Sequence, residues 1–336
     1  MNKFLGMTAV AALLAGCADK VEEVIVPTDE VIEIDVGDPE DPFDDDVTEN
    51  TIAGGVVTVG ALQSASFDEG VVRVRIALDG EDDRLQAYVA DAGTPFVNGY
   101  SRFTQQESGL NRAYAALARE GEGLIAVVAM DGGQFNRFFG GATVVQDSYT
   151  TPDEGLIYYQ GNYAGLLNFD GELSAVGVDA PDVIRSLSPN DITGKVYLIA
   201  DFVDVGRNGI EGAVYDRVAN ISVDGIADPA TTNLKPLILV AGTINADGTF
   251  AGRAEFDNSD GAGSYSGAFG GTEAAQVAGI IALSGDFVKG ATDASDMLIG
   301  FTGRDFALAQ EYGIFVIDQC PSGADSCFDP LPIPQP

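Results

Sequence analysis

Cys17 is the residue in this chain best equipped for covalent chemistry. It follows Leu14-Ala15-Gly16, and upstream lie Lys3 and the apolar run Met7-Thr8-Ala9-Val10-Ala11-Ala12-Leu13-Leu14. A positive start, an apolar stretch and small residues before a cut are the parts of an export signal. A cysteine at the cut is the mark of a bacterial lipoprotein signal, because its thiol can accept a diacylglycerol. Residues 1–16 are therefore expected to be removed, leaving Cys17 as an acylated N-terminus carrying chains such as palmitate. Each buried methylene contributes about 0.8 kcal/mol, so several chains hold a protein on a bilayer without a spanning helix. Ala18, rather than an aspartate, follows Cys17 and fits onward sorting to the outer membrane.

The other two cysteines, Cys320 and Cys327, have six residues between them. In an oxidising compartment such a local pair is expected to form a disulfide, and its spacing is unlike a redox CxxC. No histidine occurs anywhere in the 336 residues. That removes Ser-His-Asp and Cys-His catalysis and every histidine-ligated metal together. Asp257-Asn258-Ser259-Asp260-Gly261 and Asp201-Phe202-Val203-Asp204 invite a calcium reading, yet neither follows the alternating oxygen ligands of an EF-hand loop. Haem would have only tyrosine or methionine as ligand. Two carboxylates can hydrolyse a glycoside, but among 52 acidic residues no pair is singled out. The sequence thus predicts no catalytic residues, no metal and no cofactor. Arg73 and Arg75, alternating on one strand, could grip an anion or simply face water.

The formal charge of −35, from 17 basic and 52 acidic residues, argues against nucleic acid or anionic lipid headgroups as partners. Residues 17–50 hold 14 of the acids and a single base, Lys20. Like charges extend such a run, so 17–53 reads as an acidic tether between membrane and folded body.

From Thr51 onward the pattern is β. Val72, Val74, Ile76 and Leu78 alternate with Arg73, Arg75 and Ala77, and a turn at Asp79-Gly80 leads to a returning strand through Leu85, Ala87 and Val89. A second hairpin is expected from 123–128 through Asp131-Gly132-Gly133 to 135–145. Between them, Asn111–Arg119 is the best helix candidate. Further on, strands are expected at 155–168, 194–203, 210–222, 236–245, 249–257, 263–270, 277–284 and 298–303. Eight short antiparallel strands with one apolar face suit a closed barrel filled by its own side chains. A transmembrane barrel is disfavoured: an acyl anchor would be redundant, several strands are short for a span, and tryptophan is absent.

Gly248-Thr249-Phe250-Ala251-Gly252, Tyr265-Ser266-Gly267-Ala268-Phe269-Gly270-Gly271 and Glu273-Ala274-Ala275-Gln276-Val277-Ala278-Gly279 resemble the C-terminal barrel of transferrin-binding-protein-B-like surface lipoproteins. Tyr159-Gln160-Gly161-Asn162-Tyr163-Ala164-Gly165 is similar to that barrel's first strand, and Ala200-Asp201-Phe202 with Gly209-Ile210-Glu211-Gly212 to a hairpin within it. The resemblance covers roughly 155–285 and rests on short, glycine-based motifs that a barrel needs for turns and bulges in any case.

The resemblance implies a mainly β chain. An eight-stranded antiparallel barrel at 151–336, with a disulfide-closed tail, would follow a β-rich N-terminal domain at 54–150 that carries a short helix. It also implies an outer-membrane, surface-exposed lipoprotein that binds a protein ligand without enzymatic activity, lipid-anchored through its N-terminus. Family partner contacts lie in variable loops, so no binding residue carries over. The chain is too short for the two lobe pairs of the transferrin binders. An envelope lipoprotein with a structural or assembly role and no external ligand is the alternative.

Overall fold

In the computed structural model the strands of the second half close on themselves. The structure describes residues 56–68, 70–77, 85–91, 96–106, 113–132, 139–152, 155–172, 183–185, 188–202, 209–221, 230–256, 261–284, 298–299, 305–321 and 327. In chain order the strands are β1 (Val56–Gly60), β2 (Leu62–Asp68), β3 (Val71–Ala77), β4 (Leu85–Asp91), β5 (Ser101–Gln105), β6 (Tyr114–Gly121), β7 (Leu124–Asp131) and β8 (Gly140–Gln146). There follow β9 (Leu156–Glu172), β10 (Val183–Arg185), β11 (Asn190–Asp201), β12 (Gly209–Ile221), β13 (Ala230–Leu234), β14 (Leu237–Ile244), β15 (Thr249–Glu255), β16 (Gly261–Gly270), β17 (Gln276–Ser284), β18 (Leu298–Ile299) and β19 (Asp305–Gln319).

Strands β9, β19, β17, β16, β15, β14, β12 and β11 pair in that order, and β11 pairs back onto β9. This is an eight-stranded antiparallel barrel, with β10, β13 and β18 added as short outliers. Closure leaves no open edge among the eight. Its eighth strand is β19, not the expected 298–303; of that range only Leu298–Ile299 is described, as β18, and it pairs with β13 outside the barrel.

Ahead of the barrel, β1-β8-β7-β6-β5 form one sheet and β2-β3-β4 another. The expected helix at 111–119 is a strand from Tyr114 onward, and residues 111–112 lie outside the described ones. The reason is burial on both faces. Ala115 and Leu117 pack toward the barrel wall, with Ala164, Leu166, Ile314 and Val316. Tyr114, Ala116 and Ala118 pack the opposite way, with Val72, Val74 and Ile76 of β3. A run buried on both sides loses its alternation, and its alanines then read as helical. Among the described residues helical backbone is confined to the 3-10 segment Thr272–Ala274 and to Cys327, whose neighbours lie outside the described ones.

Three layers result: the three-stranded sheet, the five-stranded sheet and the barrel wall. The barrel interior holds its own core, including Tyr159, Tyr163, Leu198, Phe250, Tyr265, Phe269, Phe315 and Ile317. Eight strands enclose a space that side chains just fill. Where a large ring lies across it, the facing strand must give room. A Cβ on Gly279 would stand 2.2 Å from the tip of the Phe315 ring directly across the strand pair. One on Gly313 would stand 1.9 Å from the Tyr163 hydroxyl.

Gly279→Ala should destabilise the fold by about 1–3 kcal/mol through overpacking. In urea denaturation, adding Phe315→Leu should recover part of that loss. A Gly279→Ala chain as stable as the parent would contradict the interlock.

Candidate functional site

The barrel lumen is the first place to look for a site, and its polar content is concentrated near one end. There Arg217 of β12 and Glu311 of β19 form an ion pair, with side chains 2% and 0% exposed. The Tyr163 hydroxyl donates to the second Glu311 oxygen at 2.7 Å, and Arg217 Nη1 donates to the Lys235 carbonyl at 2.6 Å. Asp216, at φ +49°, marks a bulge in which the β11–β12 register shifts, and beyond it Arg217 faces inward. Burial, followed by the Glu311 charge, pushes the Tyr163 phenol well above its ordinary range.

Paired and enclosed in this way, the three groups pin strands together and expose no reactive atom. Toward the other end, Phe269 is packed by Phe202 at 5.0 Å, Phe250 at 5.3 Å and Tyr159 at 5.6 Å between ring centres. The Tyr159 hydroxyl donates to the Ala274 carbonyl at 2.8 Å. Rings at one end and an ion pair toward the other occupy the lumen.

Among the sequence candidates, Cys17 lies outside the described residues. Cys320 and Cys327 form a disulfide with Cα atoms 6.0 Å apart. Asp257, Asn258, Ser259, Asp260 and Asp204 also lie outside the described residues, while Asp201 is an exposed β11 terminus. Among the described residues no three histidine, cysteine, aspartate or glutamate side chains converge as a metal site. Arg73 and Arg75 sit on the outward face of β3, opposite Ser66 and Ser64 of β2, and are half-buried.

Sequence reasoning missed the side chains that join the sheets to the barrel. Asn98, at φ +52°, turns its amide onto the Tyr163 and Gly194 carbonyls at 2.8 and 2.7 Å. The Tyr100 hydroxyl donates to the Asn162 carbonyl at 2.8 Å and accepts from the Val316 amide at 2.9 Å. Burial pushes that phenol up to about 12. Arg102 Nε lies 2.8 Å from both oxygens of Asp191. Gln146 Nε2 reaches the Phe269 carbonyl at 2.7 Å. The Asn98-Gly99 dipeptide was the one readable signal, as a turn; its docking partners are not encoded nearby.

The part of the outer wall that the sheet leaves open carries charge. Lys195, Glu211, Asp216 and Arg253 stand exposed around the wall of β11, β12 and β15. A lipid-facing band would not carry such charges. No helix among the described residues is long and apolar enough to cross a membrane.

No protein-family model matches the chain, and no curated protein matches it. Solved structures of transferrin binding protein B do. A point mutant of the Haemophilus parasuis Hp5 vaccine antigen matches 79% of this chain and 45% of its own, at 12% identity and TM-score 0.36. Intact Ap-TbpB, with N and C lobes, matches 75% and 53% at 9% identity and TM-score 0.33. A mutant from Actinobacillus pleuropneumoniae H49 matches 79% of this chain and 99% of its own at 11% identity and TM-score 0.34. The chain spans about half the length of the first two.

Two outcomes follow from the buried groups. Arg217→Ala would leave the Glu311 carboxylate buried without a countercharge, a loss of about 3–5 kcal/mol. Urea denaturation should show it, and Arg217→Met with Glu311→Gln should recover most of it; a stable single variant would contradict the pairing. The second concerns pH. Buried phenols keep their protons more tightly folded than unfolded, so their contribution is complete below the unfolded tyrosine pKa of about 10. It is lost as pH rises beyond that value, and the tyrosinate absorbance of these buried rings should appear together with unfolding. With no histidine to titrate, the melting temperature should stay level between about pH 6 and 9.

Proposed function

We propose that this chain is a non-enzymatic binding module, displayed at the bacterial surface as an outer-membrane lipoprotein. In this reading residues 1–16 are a signal peptide and Cys17 carries the acyl anchor. Residues 17–53 are the tether, 54–150 the β-rich lobe and 151–336 the barrel. The observation that carries it is a lumen filled by rings and a closed ion pair, which leaves recognition to the outside of the body. The motif resemblance to transferrin-binding-protein-B-like lipoproteins supports a protein ligand. The net charge disfavours nucleic acid. The bilayer is the second partner, engaged through the acyl chains alone.

Two measurements on the native chain test the anchor and the display. The intact mass should correspond to a chain beginning at an acylated Cys17, and protease added to whole cells should cleave it. An unmodified thiol or another N-terminus would overturn the anchor. Resistance to protease until lysis would overturn surface display and fit a structural role in the envelope instead.

A further inference from the structure

The five-stranded sheet covers β16, β17, β19 and the second half of β9, and leaves a wall made of residues 156–160 of β9 and 195–201 of β11, with β12 and β14, without a cover among the described strands. Register sets the outward residues of this wall in rows. Gln160, Tyr197, Ala213 and Ile238 form one row across the four strands. Tyr158, Ile199 and Glu211 form the next, and Leu156 and Asp201 the one beyond. Tyr158, half-buried, stacks on Tyr197, which is buried at 7% exposure, with ring centres 6.3 Å apart, so Tyr158 presents the accessible ring.

Three large apolar side chains stand well exposed among the described residues: Phe96 at 73%, Leu156 at 50% and Ile238 at 43%. Leu156 and Ile238 lie on this wall. Phe96 is two residues from Asn98, whose amide is fixed at its border on Tyr163 and Gly194. At about 3.3 Å per residue and 4.8 Å between strands, the rows span roughly 13 by 14 Å. Near the centre of an interface a few well-packed anchors carry most of the energy, so a patch of this extent can hold them.

The charge around it has one dominant sign. Among the described residues, Asp201, Glu211, Asp216 and Glu255 on these strands and on β15 outnumber the cations Lys195 and Arg253. Lys195 lies 3.9 Å from Asp216, and Arg253 lies 2.6 Å from Glu255. A second copy of this chain, at −35, would meet its own acidic wall, and anionic headgroups would be repelled equally.

We infer that this tyrosine-lined wall is a docking face for a protein partner whose contact surface is apolar at its centre and basic at its rim. The inference rests on the binding-module reading and gives that module a surface and a partner chemistry.

The test uses the full chain in detergent micelles, panned with a phage-displayed library of random peptides. Enriched peptides should combine lysine or arginine with aromatic or aliphatic residues. Their affinity should fall at least tenfold with Ile238→Asp and with Leu156→Glu, both outside the core and both checked for native circular dichroism. Glu211→Lys should weaken binding and flatten its salt dependence. Peptides indifferent to all three substitutions would overturn the wall. If they instead responded to Arg73→Glu, the binding-module reading would stand while the wall fell. No enrichment above bare micelles would also overturn the wall, with surface display decided separately by the protease experiment.

Discussion

Everything in the described body depends on one apolar contact, between the outward faces of β9, β16, β17 and β19 and the inner face of the five-stranded sheet. Ala164, Leu166, Ala268, Ala278, Ile280, Ile314 and Val316 point away from the lumen, where a free-standing barrel would face water. Leu117, Leu124, Ala126, Val128 and Val144 cover them. The small residues on both sides let backbone approach backbone. Asn98, Tyr100, Arg102 and Gln146 then fix the register by hydrogen bonds that span the seam. Because the same sheet is clad on its far face by β2, β3 and β4, it is a middle layer, buried on both sides.

That arrangement explains what the sequence disclosed and what it hid. Strands with one wet face kept their alternation: β3, with Val72, Val74 and Ile76 inward and its arginines outward, was readable, and so was β15. Strands with two dry faces lost it. The run Glu311–Ile317 is buried at every position, so β19 shows no period of two, and the sequence pattern points to 298–303 instead. β6 failed in the same way and was read as a helix. Turn chemistry at Asn245–Gly248 and the local Cys320–Cys327 pair needed only neighbours, and both were legible. Arg217 and Glu311, 94 residues apart, were not, because nothing local marks two charges as partners across a lumen.

The same packing explains why the motifs of the barrel say little about a ligand. Gly279 is set by the ring of Phe315 opposite it, and Tyr163 by its hydroxyl's partner Glu311. These residues answer to barrel closure, and any chain closing eight strands around aromatic side chains would need similar spacing. Positions that closure does not constrain lie on the outer wall and at the strand ends, and the proposed binding function would fall to them. The chain is strongly acidic, and charge of one sign disfavours partners that carry the same sign.

Scanning calorimetry of the native chain tests the shared core most directly. If the five-stranded sheet and the barrel wall have one core between them, a single transition should appear, with calorimetric and van't Hoff enthalpies equal. Two separated transitions, the lower one releasing 56–146 while the barrel stays folded, would contradict it.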